Sequence, residues 1–165
     1  MKLTYLVFLL FILSSCKEKV APVFTGREGK VMPDFKLLLT DSSTLLNSMS
    51  IPDGRPVVMI YFSPHCPYCR QEITQVIGQM AGLQDIQFYL FSTYPMREVA
   101  AFAEDLGLSS YRNVHFGLDI QHVFLRYFGA TAVPYTAIYG RQKKLTHAFL
   151  GVIDAGQIRD MATKN

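Results

Sequence analysis

Two residues separate Cys66 from Cys69 in the stretch Ser63-Pro64-His65-Cys66-Pro67-Tyr68-Cys69-Arg70. Sulfur at that spacing has two chemistries open to it: it can close a small disulfide ring, or supply two ligands to one metal ion. The surroundings choose between them. A continuous apolar run, Val57-Val58-Met59-Ile60-Tyr61-Phe62, precedes the motif, and an amphipathic segment follows it. A strand running into a helix puts Cys66 at the helix N-terminus, where unpaired amide N–H groups and the positive end of the dipole favour a thiolate. Pro67 suits the first helical turn because it lacks an N–H that would be orphaned there. A metal site would need two further ligands. His115, His122 and His147 are scattered over predicted strand and helix with no i, i+4 pairing, and His65 cannot complete a site alone. Dithiol–disulfide chemistry is therefore the expectation, with the Cys66–Cys69 pair itself as the redox group and no metal or other cofactor.

Several elements must position that pair. Val57–Phe62 is apolar and rich in β-branched and aromatic residues, as a strand buried on both faces requires. Behind the motif, Ile73, Val76, Ile77 and Met80 recur at i, i+3, i+4 and i+7, one helical face that Gly82 ends. Ile86–Phe91 predicts the next strand, and Pro95 opens a helix with Val99, Phe102, Ala103 and Leu106 inward and Gly107 as its stop. Val114–Gly117 predicts a short strand. A third helix is expected from Asp119 as N-cap, with Ile120, Val123, Phe124 and Tyr127 on its buried side and Gly129 at its end. Tyr135–Tyr139 and Leu145–Leu150 predict a hairpin, and Ala155–Thr163 a last helix. Earlier, Met32–Leu39 leads through a proline into a short strand that Thr40-Asp41-Ser42-Ser43 turns. Strands alternating with helices, closed by a hairpin, describe an α/β domain with a central mixed β-sheet flanked by helices.

The beginning of the chain is read as a targeting segment. Lys2 supplies a positive start and Leu3–Leu13 an apolar stretch too short to span a bilayer. It ends in Leu13-Ser14-Ser15-Cys16, which resembles the bacterial lipoprotein signal, with Cys16 as the residue lipidated after cleavage. Residues 1–15 would then be signal peptide, 16–30 a lipidated N-terminus and tether, and 31–165 the folded domain. The Lys17-Glu18-Lys19 cluster could belong to the tether or act as a sorting signal. An acyl anchor would attach the protein to a membrane without a spanning helix. The localisation expected is the cell envelope, facing the periplasm, with inner or outer membrane left open. With Cys16 used for the anchor, two cysteines remain in an exported domain, where disulfides persist. The net charge is +3, from 16 basic and 13 acidic side chains. No basic run exceeds Lys143-Lys144, so the clustered charge that nucleic acid demands is missing.

These residues resemble the TlpA-like thiol:disulfide oxidoreductases, exported proteins of thioredoxin-like fold within the group that includes the peroxiredoxins. Four stretches carry the likeness: Met32-Pro33-Asp34-Phe35; the strand Val57–Phe62 with Cys66-Pro67-Tyr68-Cys69-Arg70-Gln71-Glu72; Asp119–Phe128; and Ala130-Thr131-Ala132-Val133-Pro134-Tyr135. The resemblance implies that Cys66 is the nucleophile and Cys69 the resolving thiol. It also implies a cis-proline loop at Val133 and Pro134 that, with Pro67 and Tyr68, meets the substrate. Glu72 matches a glutamate of many relatives; at i+3 from Cys69 it could move protons for the buried thiol, or it could be a solvated acid favourable to the helix dipole. The partners implied are protein thiols and disulfides of exported proteins, reduced by this protein, and a membrane electron-donor protein that recharges it. Oxidase or isomerase action stays open.

The chain also departs from that pattern. Relatives usually carry Trp just before the first cysteine, where Pro64 and His65 stand here. A buried acid six residues before it, found in many thioredoxins, is here Ile60. A protonated His65 would stabilise a Cys66 thiolate and make the pair more oxidising; the alternative is an exposed loop histidine. A peroxidase is disfavoured because Met59 stands where that pattern has proline, although Ser63 fits, and no distant resolving cysteine follows. A lipoprotein whose disulfide is only structural is disfavoured by the strand-to-helix placement. A metal-binding lipoprotein has only the two sulfur ligands noted above.

Overall fold

The computed structural model describes residues 19–164, so Cys16 and the signal segment lie outside the described residues. A seven-stranded sheet forms the centre. In chain order its strands are β1 (Lys36–Leu39), β2 (Leu45–Asn47), β3 (Val57–Tyr61), β4 (Gln87–Ser92), β5 (Val114–Asp119), β6 (Tyr135–Tyr139) and β7 (Leu145–Leu150). The helices are α1 (Pro67–Gly78), α2 (Met96–Asp105), α3 (Val123–Phe128) and α4 (Ala155–Thr163). Across the sheet the order is β2-β1-β5-β4-β3-β6-β7. β3, β4 and β5 run parallel, whereas β6, β7, β1 and β2 join antiparallel, so the sheet is mixed as expected.

The period-two pleat of β3 divides the core. Val58 and Ile60, with Phe62 just beyond the strand, face α1, α2 and α4, where they meet Ile73, Val76, Val99, Phe102 and Ile158. Val57, Met59 and Tyr61 face the opposite side, among Phe35, Phe91, Phe124, Tyr135 and Tyr139. Every residue of β3 is buried, which is why the run reads as unbroken apolar sequence.

Three expectations need correction, and one strand was not expected at all. Asp119 does not begin a helix: it is the last residue of β5, and Ile120 is exposed. The chain turns through His122 at φ 53° before α3 starts at Val123. Asp119 still caps that helix from a distance, its carboxylate accepting the Val123 amide at 2.9 Å and the Phe124 amide at 2.8 Å. The helix after the motif ends at Gly78, and Met80–Gly82 forms a separate 3-10 turn. After the Asp41 turn the chain returns as β2, a strand of three residues too short and exposed to show a pattern. Finally, much of the expected tether is not free. From Val23 to Lys30 the chain lies along the outer edge of β7, where Val23 donates to the Ala148 carbonyl and Leu145 to that of Lys30. This arm covers backbone groups that an edge strand would otherwise expose.

Candidate active site

β3 delivers the chain to the site and the next residues knot it in place. The Phe62 amide donates to Phe91 at 2.9 Å, the Cys66 amide to the Ser63 carbonyl at 3.1 Å, and the His65 amide to the Ser63 hydroxyl at 3.2 Å. Cys66 then occupies the N-cap of α1 with extended backbone, and Pro67 takes the first helical position. In place of the usual oxygen, the Cys66 sulfur accepts the Cys69 amide at 3.4 Å.

The two sulfurs differ in setting. Cys66 is half-buried and reachable, whereas Cys69 has no exposed surface. Burial pushes the Cys69 thiol well above its ordinary value, and the proximity of Cys66 and Glu72 pushes the same way, against a hydrogen bond from the Ser63 backbone. Cys69 is thus a protonated thiol at neutral pH and needs a base before it can react.

Glu72 is the acid nearest that task. It follows Cys69 by three residues, so α1 turns Cys69, Glu72, Ile73 and Val76 onto one buried face. Of the two roles open to it, a solvated acid is ruled out: no part of the residue is exposed. Its Oε1 accepts the Thr136 hydroxyl at 2.6 Å and its Oε2 the Ile153 amide at 3.1 Å. Burial raises its carboxyl to about 7 despite these two donors.

Opposite Cys66 stands the loop before β6. The Val133–Pro134 peptide is cis, and the Cys66 thiol lies 3.8 Å from the Val133 carbonyl oxygen as its donor. Val133 and Pro134 line an open cleft of about 410 Å³ with Tyr68, Gln71, Gly151 and Val152. Tyr68 is 62% exposed, a large ring left on the surface beside the reactive sulfur. Pro67 is exposed at the helix start. The structure therefore brings Cys66, Cys69, Glu72, Val133, Pro134, Pro67 and Tyr68 into one site.

His65 turns elsewhere. Its Nε2 lies 2.6 Å from Glu98 Oε2 in the first turn of α2, and its ring meets Tyr94 edge-on, so its contacts are with these two side chains and not with a sulfur. Sequence reasoning missed Glu98, Thr136 and the Ile153 amide. Thr136 left a signal: it is the one polar side chain of β6 apart from the two tyrosines, on the same pleat as Ile138 facing α1.

A half-buried and a buried thiol at a helix N-terminus, facing a cis-proline loop at one end of the inner strands of this sheet, define a thioredoxin-like dithiol protein. A family model described as Redoxin matches residues 27–164, and the chain belongs to that family. Among curated proteins it is similar to methylamine utilization protein MauD of Methylophilus methylotrophus, with 29% identity over 77 residues, 47% of this chain and 36% of that protein. The match thus spans little more than a third of that relative's length. Two solved structures share the fold. A secreted Mycobacterium tuberculosis disulfide oxidoreductase homologous to E. coli DsbE superposes with TM-score 0.63 at 17% identity, covering 76% of this chain and 95% of that one. The MTB protein dsbF gives TM-score 0.65 at 16% identity, covering 78% and 95%.

Proposed function

We propose that this chain is a thiol:disulfide oxidoreductase that reduces disulfides of exported proteins through Cys66 and Cys69. The observation that carries the reading is the asymmetry of the pair, with Cys66 reachable at a helix N-cap and Cys69 sealed behind it. Cys66 as thiolate attacks a substrate disulfide; one substrate sulfur leaves and a mixed disulfide forms. Cys69 gives up its proton and attacks the Cys66 sulfur, and the second substrate sulfur leaves. Two electrons have passed to the substrate and the pair is oxidised. An external dithiol returns them, by family likeness a membrane electron-donor protein.

Other features support parts of this reading. The cleft beside Tyr68 and Pro134 has the open form an extended peptide segment needs, and we assign strand-like pairing with that segment to the backbone of Val133, which lines the cleft. Glu72 is the group we assign to take the Cys69 proton. The proposal includes a lipid anchor at Cys16, supported by Leu13-Ser14-Ser15-Cys16 after the apolar stretch. It would hold the domain on the periplasmic side of a cell-envelope membrane.

Insulin reduction tests the reading, with dithiothreitol as electron source and the full chain as catalyst. Wild type is expected to accelerate precipitation of the reduced chains, and Cys66→Ser to abolish the effect. Cys69→Ser should be inactive and accumulate a mixed disulfide on Cys66. No acceleration over dithiothreitol alone would contradict it.

A further inference from the structure

The carboxyl of Glu72 has two neighbours that are chemically unlike. Ile153 offers Oε2 a backbone N–H, a group that can only donate. Thr136 offers Oε1 a hydroxyl, which can donate or accept. When Glu72 is ionised, both neighbours donate and the carboxylate is satisfied on each oxygen. When it is protonated, Oε2 can still accept the Ile153 N–H, whereas a proton on Oε1 requires the Thr136 hydroxyl to turn from donor to acceptor. At 2.6 Å that contact has the length of a charge-assisted O–H···O bond.

We propose that Thr136 is a positioning residue for proton transfer at this site, its hydroxyl donating to Oε1 and so holding the carboxylate of Glu72 ready to take the proton of Cys69. This rests on the oxidoreductase reading above and adds to it a residue that touches neither substrate nor sulfur. In the step served, the Cys69 S–H gives its proton to Glu72 and the Cys69 sulfur bonds to the Cys66 sulfur. The bond from Cys66 to the substrate sulfur breaks, and the substrate leaves as a thiolate that takes a proton from water. Charge and atoms balance, with water as the only further reactant.

The surroundings leave Thr136 in control. From α1, the titratable group near Glu72 is Cys69; from β6 it meets Thr136, and from the segment before α4 the Ile153 amide. Among the described residues, no charged side chain acts on the Glu72 carboxyl beyond these. Thr136 is itself completely buried, two positions after Pro134 in a strand with both neighbours paired, so its place relative to the cis-proline loop is rigid.

The test follows the reduced full chain reacting with 5,5′-dithiobis(2-nitrobenzoate), which releases one coloured thiolate when Cys66 attacks and a second when Cys69 resolves. The rate of the second release, measured against pH, reports the proton acceptor. In wild type its midpoint should lie near the Glu72 value of about 7. Thr136→Val removes the donor to the carboxylate, and its midpoint should move up by about one unit, slowing the second release about five-fold at pH 7 and restoring it at high pH. Thr136→Ser keeps the hydroxyl and should keep the midpoint. If Thr136→Val does not fold, Thr136→Ala carries the same expectation. A midpoint unchanged in Val or Ala, or shifted equally in Ser, overturns the proposal while leaving the oxidoreductase reading intact. Absence of any second release in wild type would instead sink the parent reading, and this proposal with it.

Discussion

The sulfur of Cys66 lies 3.8 Å from the carbonyl oxygen of Val133, a residue 67 positions along the chain. Sheet register makes that contact. β3 and β6 are antiparallel neighbours, with Tyr61 at the end of β3 opposite Tyr135 at the start of β6. Whatever follows Tyr61 and whatever precedes Tyr135 must therefore emerge at the same end of the sheet. The cysteine motif and the Val133–Pro134 loop are those two segments. Their meeting needs no long flexible loop, and the central strands fix it from both sides.

The buried acid beneath the site makes stability depend on pH. Glu72 titrates near 4.5 in an unfolded chain and at about 7 in the folded one, where burial disfavours its charge. Between those values the folded state holds a proton that the unfolded state has lost, so wild-type stability is full below about pH 4.5 and falls as pH rises through about 7. Glutamine can mimic the protonated acid, its NH2 donating to Thr136 and its carbonyl accepting from Ile153. Glu72→Gln should match wild type in acid and exceed it above neutrality by on the order of 3 kcal/mol. Urea unfolding between pH 4 and 9 measures the gap, and a gap that does not widen with pH would refute this account of the site.

Gly117 of β5 packs directly against the backbone of β1. A Cβ there would lie 2.1 Å from the Leu38 carbonyl oxygen and 2.8 Å from its carbon, both backbone atoms that cannot swing away. Gly117→Ala should separate β1 and β2 from the sheet and cost at least about 3 kcal/mol. Hydrogen exchange should show lost protection in β1, where Leu39 lies opposite Gly117, while β3 and β6 keep theirs. A variant within about 1 kcal/mol of wild type would contradict this packing.

The N-terminal arm is clamped by one side chain. Gln157, buried in α4, accepts the Val20 amide at 3.1 Å and donates to the Val20 carbonyl at 2.6 Å, as a neighbouring strand would. Gln157→Ala should cost about 1–2 kcal/mol and speed exchange of the Val20 amide. The Val23 amide, bonded to Ala148, should follow in part. Unaltered exchange at Val20 would show that the clamp does not hold the arm.

Much of this architecture was legible because its signals are local. The buried run of β3, the helical spacing behind Cys69 and the hairpin around Gly140 each need only a short window; the strands match the structure within a residue, and the helix forms but ends at Gly78, short of Gly82. What was not legible depends on contacts far apart in the chain. Asp119 looks like an N-cap, but that position is taken by His122; the Asp119 carboxylate reaches the first helical amides across three residues because His122 adopts a left-handed turn that no local pattern announces. Lys17–Lys30 looks polar and free, yet from Val20 onward its backbone is bonded to β7 and α4. Glu72 was ambiguous for a related reason. Its place on the Cys69–Val76 face was visible, but its burial depends on β6 and the Ile153 segment closing over it. His65 was read for its neighbour in sequence, and its actual partner, Glu98, lies 33 residues away.

The most direct test of the central claim is the equilibrium reduction potential of Cys66–Cys69 in the full chain. It can be read in dithiothreitol or glutathione buffers by alkylating and counting thiols. The account predicts a reversible two-electron transition of the folded protein, near about −270 mV as in a thioredoxin-like reductant. A value near about −120 mV would contradict the reducing direction. A pair that changes state only when the protein unfolds would contradict the redox role itself.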